Sequence, residues 1–298
     1  MHDGGGLRTV VFLKGCPLRC LWCSTPESQP AHPQRGYSRA KCVLCGRCVE
    51  RCPNGALSVN GERVVIDGEK CRNCLGCVEI CPSSAMLSYG YRATAAQIVR
   101  EIAKDEVFYF HSGGGVTISG GEPLTQPAFV REILLGCRER GIHRAIETSF
   151  CTPWEAAEGV LPLLNLLYVD LKHALPKEHE RVVGVSNETI LENIRRADAH
   201  PGEFEMVIRM PLVPGVNDAD EAIIAAAELI RGLNRVRTVE LLAYHRLGTE
   251  TYRNLDLPYP LAEIAVPEQS YMESKARLLK AHGGEIAVLI NNVPFEDK

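Results

Sequence analysis

Residues 9–23 read TVVFLKGCPLRCLWC. A run of β-branched and apolar residues leads into a glycine and then into three cysteines at CxxxCxxC spacing, Cys16, Cys20 and Cys23. The run predicts a strand at 9–13, and the loop at its end carries residues of metal-ligand type. Further strands are predicted at 116–118, 145–148, 166–171, 206–210 and 239–242. They alternate with helical patterns at 95–104, 128–140, 153–164, 187–199, 218–231 and 267–282. Such alternation implies parallel strands joined by right-handed crossovers. Six strand–helix units are too few to close an eight-stranded barrel, so the expected fold class is α/β, a partial open (β/α)6 TIM-like barrel. The cysteine triplet, residues 120–123, Glu147-Thr148, residues 170–172 and Tyr244-His245 all follow predicted strands, where loops converge on one site.

Eleven of the 13 cysteines lie between Cys16 and Cys81. After the triplet come Cys42, Cys45, Cys48 and Cys52, followed by Pro53, and then Cys71, Cys74, Cys77 and Cys81, followed by Pro82. The CxxCxxCxxxCP unit thus repeats at an offset of 29 residues. This is the ligand run of bacterial ferredoxins with two [4Fe–4S] clusters, in which the fourth cysteine of each run serves the other cluster. Carried over, Cys42, Cys45, Cys48 and Cys81 hold one cluster, and Cys71, Cys74, Cys77 and Cys52 hold the other. Structural zinc takes four ligands and has no use for a third cysteine at the same short interval. Residues 35–90 therefore read as an inserted ferredoxin-like α+β domain, and residues 1–34 with 91–298 as the barrel. Without the insert 242 residues remain, near the roughly 250 of a β/α barrel. The triplet offers three thiolates to a four-iron cubane and leaves one iron open to a substrate. A fourth thiolate from Cys137 or Cys151 is the competing reading, although both read better as small buried hydrophobes.

Lys+Arg 33 against Asp+Glu 37 gives a net charge of -4 and no global basic field, so no nucleic-acid partner is expected. The insert departs from that balance, with eight Lys/Arg and five Asp/Glu between Arg35 and Gly90. No run reaches the roughly 18 apolar residues of a membrane span, and MHDGGGLRTVV lacks the order of a secretory signal. No membrane association and a cytosolic location are expected, where close cysteines serve as ligands rather than disulfides. His143 and His173 stand outside any motif and are expected to face solvent.

GCPLRCLWC, with the aromatic Trp22 before its third cysteine, resembles the signature of radical S-adenosylmethionine (SAM) enzymes, and SGGEPLTQ at 119–126 is similar to the GGEP segment of that superfamily. DGGGLRTVVFLKGCPLRCLWC, GGGVTISGGEPL, AIETS, VDLKH, RMPLVPGVND and LLAYHRLG, in that order from Asp3 to Gly248, narrow the resemblance to glycyl radical enzyme activating enzymes. Gly5 stands where that family has proline, Ser24-Thr25 where His-Asn is common, and Phe150 where glycine is common. The family also carries a strand before the DGPG motif, while Met1 is only two residues ahead of Asp3.

The resemblance implies that SAM is cleaved reductively at the triplet to a 5′-deoxyadenosyl radical, which takes hydrogen from a backbone glycine in the C-terminal loop of a partner glycyl radical enzyme. It implies three [4Fe–4S] clusters, and SAM held by Trp22, Ser24, Gly120, Gly121, Glu122, Glu147, Asp170, Leu171, Lys172, Arg209 and His245. Gly120 and Gly121 admit the methionine amino group, with Glu122 as its anionic partner. Asp170 and Lys172 alternate along a strand end and share a face; by resemblance they contact the ribose and the methionine carboxylate, with Asp170 and Glu147 also holding a monovalent cation. His245 contacts adenosine. Trp22 is either the adenine contact or a core residue, and Arg209 either balances the carboxylate or forms a strand-end salt bridge.

The insert is expected to relay electrons from a flavodoxin or ferredoxin, an idea refuted if replacing Cys42 and Cys71 leaves flavodoxin-driven cleavage unchanged. A monomer is expected. A radical SAM peptide maturase with auxiliary clusters is the alternative enzyme, but such enzymes usually keep their extra cysteines C-terminal to the barrel. A ferredoxin-type carrier has no need of GGEP, DLK or YHRLG.

Overall fold

In the computed structural model, which describes residues 4–297, the chain first forms β1 (Arg8–Leu13) and then departs into a small separate unit. That unit contains β2 (Gln34–Tyr37), α1 (Arg47–Arg51), β3 (Leu57–Asn60), β4 (Arg63–Ile66), α2 (Gly76–Glu79) and β5 (Met86–Tyr89). Next come α3 (Ala95–Ala103), α4 (Glu106–Ser112), β6 (Gly115–Gly120), α5 (Pro127–Glu139), β7 (His143–Thr148), α6 (Trp154–Glu158) and β8 (Leu166–Asp170). The chain closes with α7 (Pro176–Val183), α8 (Glu188–Ala199), β9 (Glu205–Leu212), α9 (Asp220–Arg231), β10 (Val236–Ala243), α10 (Thr249–Asn254), α11 (Gln269–Gly283), β11 (Ala287–Ile290) and β12 (Val293–Pro294).

The large sheet runs β1-β6-β7-β8-β9-β10-β11-β12, parallel through β11, with β12 antiparallel at the edge. β1 and β12 are the two ends of that order, so the sheet curls without closing. Side chains alternate across each strand. One set, including Val116, Ile118, Ile146, Leu167, Val169, Ile208 and Leu241, is buried against Ile133, Leu134, Ile194, Ile223 and Leu279 of the helices. Each such side chain contributes roughly 1.5–3 kcal/mol by leaving water, which fixes the register and turns the opposite set inward. That inner set contains Ser119, Glu147, Tyr168, Asp170, Arg209 and Glu240, the polar lining on which the site is built.

Three expectations are corrected. The sheet has a seventh parallel strand, β11, because the apolar run AVLI follows the turn at Gly283-Gly284 and pairs with β10. The helix expected at 153–164 is broken into α6 and a 3-10 turn at Leu161–Leu163, where Pro162 cannot donate to a continuing helix. The short helices α4, α7 and α10 were not expected, being too brief for periodicity to register. Asp3, and with it the question of a preceding strand, lies outside the described residues.

In the small unit β2 pairs with β5 and β3 with β4, both antiparallel. Its own apolar centre is Cys48, Leu57, Val64, Cys77 and Met86.

Candidate active site at the mouth of the open barrel

β1 ends at Leu13, and the cysteine loop that follows is held by backbone hydrogen bonds. Gly15 N donates to Ser28 O at 2.7 Å, Cys16 N to Gln29 O at 3.0 Å and Cys23 N to Cys20 O at 3.1 Å. Arg19 N and Leu21 N donate to Val183 O and Val182 O, at 2.8 and 3.0 Å, so the loop rests on the last turn of α7. All three cysteines are half-buried. Burial pushes the Cys16 thiol up to about 11 and the Cys20 thiol up to about 12, with neighbouring cysteines adding to it and Lys172 opposing it. Trp22 is buried with Leu18, Val182, Val213, Tyr244 and Leu261, a group against which Cys16 and Cys20 also pack.

The GGEP segment lies directly along the root of this loop. Gly121 N donates to Leu13 O at 2.8 Å and Glu122 N to Gly15 O at 2.7 Å. A Cβ on Gly120, whose φ is +111°, falls 2.4 Å from Leu13 N, and one on Gly121 falls 2.4 Å from Gly15 O. Both glycines are therefore required for the approach of two backbone segments, whatever else they admit. Glu122 is fully buried and its oxygens accept from Leu124 N, Thr148 Oγ1, Ser149 N and Ser149 Oγ at 2.6–3.0 Å. Burial raises its pKa while the two hydroxyls and two amides pull it back. Four donors fill its acceptor capacity, so it ties the β6 loop to the β7 loop instead of standing free as an anionic partner.

Deeper in the barrel, Asp170, Arg209 and Glu240 stand side by side in register on β8, β9 and β10. Arg209, 2% exposed, donates from Nε to Glu240 Oε2 and from Nη1 to Glu147 Oε1, both at 2.8 Å, while its guanidinium lies 3.6 Å from the centroid of the Tyr168 ring. Glu147 also accepts from Ser119 Oγ at 2.7 Å. Burial acts to raise the Glu147 pKa, but Arg209 and Ser119 overcome it and hold the carboxyl below its ordinary value. Lys172 Nζ donates to Asp170 Oδ2 at 2.7 Å. Burial works against its charge, yet Asp170 and Cys20 raise its pKa overall, which keeps an ammonium between the carboxylate layer and the cysteine loop.

Leu171 is buried, with its N–H donating to Arg209 O at 2.8 Å. His245 is exposed at the mouth beyond β10. Ser24 is exposed too, with Gly248 packed so closely on it that a Cβ there lies 2.6 Å from Ser24 O.

Glu240 carries no sequence signal of its own and is named only by its partner across the sheet. Thr148 and Ser149 lie in the AIETS motif, which does not show that they hold Glu122. Asn217 donates to Lys172 O and Pro211 O and accepts from Val213 N, pinning the backbone of Lys172; it lies in VPGVND, where the motif was visible but the role was not. His173, expected in solvent, is buried and accepts from Leu175 N at 3.0 Å. His143 is half-buried beneath Arg8, 3.2 Å from its Nη2. Cys137 is fully buried in the barrel core and Cys151 is half-buried beside it.

The cysteines of the small unit line two open-sided hollows. One is lined by Cys52, Cys71, Cys74 and Cys77. The other is lined by Cys42, Cys45, Cys48 and Cys81. Among the described residues no three His, Cys, Asp or Glu side chains converge on a single-ion site. The thiols of each set line one shared hollow, and the crossing of the fourth cysteines suits paired cubanes.

Residues 68–227 match the radical SAM superfamily, and residues 35–82 match a 4Fe-4S dicluster domain. The isethionate sulfite-lyase activating enzyme of Nitratidesulfovibrio vulgaris is 41% identical over 93% of this chain and 91% of its own. The (2S)-3-sulfopropanediol sulfolyase activating enzyme of Bilophila wadsworthia is 42% identical over 95% of this chain and 94% of its own. Streptococcus suis SuiB, solved with the precursor peptide SuiA, superposes with a TM-score of 0.57 at 13% identity, over 96% of this chain and 49% of that one, a likeness of fold alone. With cysteine loop, GGEP segment and charged layer converging at one mouth, and relatives of this similarity along nearly the whole chain, the protein belongs to the glycyl radical enzyme activating enzymes of the radical SAM superfamily.

Proposed function

We propose that residues 35–90 form the inserted domain of this activating enzyme and that the chain carries three [4Fe–4S] clusters, one on Cys16, Cys20 and Cys23 and two in the crossed sets Cys42/Cys45/Cys48/Cys81 and Cys71/Cys74/Cys77/Cys52. The observation that carries this is the division of the eight insert cysteines between two hollows, each lined by three cysteines of one run and the fourth of the other. When bound, the triplet cluster supplies the electron that splits SAM and so generates the radical that takes hydrogen from the partner's glycine.

The chain's own residues hold and orient the reactants. Arg209 is fixed by two carboxylates and an aromatic face, so it presents its charge without reorganising. Lys172 and Asp170 occupy the level between that clamp and the cysteine loop, and face the ribose and methionine carboxylate of SAM. Trp22 walls the adenine side, Gly120 and Gly121 set the backbone against the methionine amino group, and Ser24, Leu171 and His245 close around the adenosine. Among the described residues of this layer, Glu147, Asp170 and Glu240 face two cations, Arg209 and Lys172. The surplus negative charge suits one monovalent cation between Glu147 and Asp170.

The donor is a flavodoxin or ferredoxin, the enzyme acts in the cytoplasm as a monomer, and its partner offers a C-terminal glycine loop to the mouth. Relatives of similar identity are named for a sulfite-lyase, a sulfolyase, a dehydratase and decarboxylases. Pairing reconstituted protein with candidate glycyl radical enzymes of these classes, under reductant and SAM, decides the partner. The expected result is a glycine-centred EPR doublet with one candidate, and a doublet with none despite deoxyadenosine release rejects the candidate set.

A further inference from the structure

The two hollows of the insert differ in how they stand to the barrel. β2 leaves the barrel at Gln34 and β5 returns to it at Tyr89, and these residues face each other in register. The hollow of Cys52, Cys71, Cys74 and Cys77 is also lined by Arg35 and Asn73, and Arg35 N donates to Asn73 Oδ1 at 3.2 Å, so it hangs from this root. The hollow of Cys42, Cys45, Cys48 and Cys81 is lined instead by Ala85 and Met86, at the far end of the β2–β5 strand pair where Met86 faces Tyr37.

The root is tied to the cysteine triplet through aromatic side chains. Tyr89 Oη accepts from Asn254 Nδ2 of α10 at 3.1 Å. Buried Tyr252 of the same helix meets the Tyr259 ring edge-on at 5.0 Å between centroids, and Tyr259 Oη lies 2.6 Å from Tyr244 Oη. Tyr244 and Tyr259 pack in the apolar group that contains Trp22, Cys16 and Cys20. Both hollows carry basic side chains, Arg35 and Arg72 at the root-side one and Arg47 at the far one, and the far one is set apart by the exposed apolar pair Val43 and Leu44. Lys41 and Arg47 are exposed at its edge beside Val43, which is 66% exposed, on an insert whose charge excess is positive in a chain of net charge -4. Such asymmetry steers an acidic protein to the insert rather than to the barrel.

We propose that the insert is a polarised electron inlet: an acidic one-electron carrier docks on Lys41, Val43, Leu44 and Arg47, the electron enters at the Cys42/Cys45/Cys48/Cys81 site, passes to the Cys52/Cys71/Cys74/Cys77 site and leaves by the Tyr89–Asn254 contact. This rests on the reading of all three cysteine groups as cluster sites. The carrier is oxidised by one electron, and that electron breaks the S–C5′ bond of SAM, giving methionine and the carbon-centred radical. No proton moves through the insert. The root-side site stands on the strand pair that joins the insert to the barrel, so it is the final step before the triplet.

Two measurements on the reconstituted holoenzyme test the order. With all sites reduced and SAM bound, a nearby paramagnetic cluster speeds relaxation of the triplet EPR signal. Cys74→Ala is expected to make that signal saturate at several-fold lower microwave power, and Cys45→Ala to leave it near wild type. In the second, K41E/R47E is expected to slow triplet reduction by a photoreduced acidic flavodoxin about tenfold at low salt, relative to reduction by dithionite, with the difference shrinking as salt rises. Arg72→Glu beside the root-side hollow leaves that ratio as it was. The order is overturned if Cys45→Ala changes the saturation as much as Cys74→Ala, or if Arg72→Glu slows the carrier more than K41E/R47E. If the cysteine variants do not fold, the charge variants alone decide. Failure of the wild type to bind about twelve irons and to cleave SAM with dithionite refutes the underlying cluster reading instead.

Discussion

Arg209 owes its position to three neighbours that sequence inspection does not join, namely Glu147, Glu240 and the ring of Tyr168. Removing one partner of a buried ion pair leaves a charge that water cannot reach, at a cost of roughly 3–5 kcal/mol. Glu240→Ala is accordingly expected to lower the unfolding free energy by about 3 kcal/mol and to weaken SAM binding, whereas Glu240→Gln, which keeps the shape and one acceptor, recovers part of both. Urea melts and equilibrium dialysis give the two quantities, and wild-type values for Glu240→Ala contradict the clamp. His143 supplies a pH prediction. Burial, Arg8 and Arg144 depress its folded pKa to about 4, against an ordinary value of 6.5. The unfolded chain therefore takes up a proton first, so this group's contribution is intact above pH 6.5 and is lost as pH falls toward 4. His143→Gln is expected to flatten that part of the stability curve, and an unchanged acid limb rules the assignment out. At this scale the cysteines were legible because ligand spacing is local. Glu240 and Asn217 were not, since a lone glutamate or asparagine gains meaning only from strands distant in sequence.

At the scale of elements, the cysteine loop is a surface laid between the last turn of α7 and the GGEP segment. Gly121→Ala places a methyl 2.4 Å from Gly15 O, a contact between backbones that no side-chain rotation relieves. The variant is expected to fold but to lose the triplet cluster selectively, with iron falling from about twelve to about eight per chain. Iron analysis beside EPR is sufficient, and full iron content with normal SAM cleavage shows that the loop can move aside. Parallel strands buried on one face by helices announce themselves as apolar runs, which is why β6 to β10 were readable. The four residues of β11 were passed over because they follow a long helix near the end of the chain. Helix α10 is set by its contacts with Tyr89 and Tyr259 and by the close packing of its N-cap residue Gly248 on Ser24, none of which a periodic pattern contains.

For the whole molecule, the open sheet was foreseeable from the number of strand–helix units and the insert from its repeated cysteines, while the way they join was not. Gln34 and Tyr89 are antiparallel partners, so the neck by which the insert hangs is a single strand pair, about 5 Å wide between Cα atoms. A two-residue turn of the Asn-Gly kind bridges such a gap, and the insert has an apolar centre of its own. A chain with residues 35–88 replaced by that turn is expected to fold, to bind about four irons and to release deoxyadenosine with dithionite but not with a protein donor. Collapse of the shortened chain, seen by circular dichroism, shows that the barrel depends on its guest. A neck this narrow makes the iron–sulfur unit a cassette: it can be gained, exchanged or discarded in one cut, and the catalytic half need not be rebuilt to accept it.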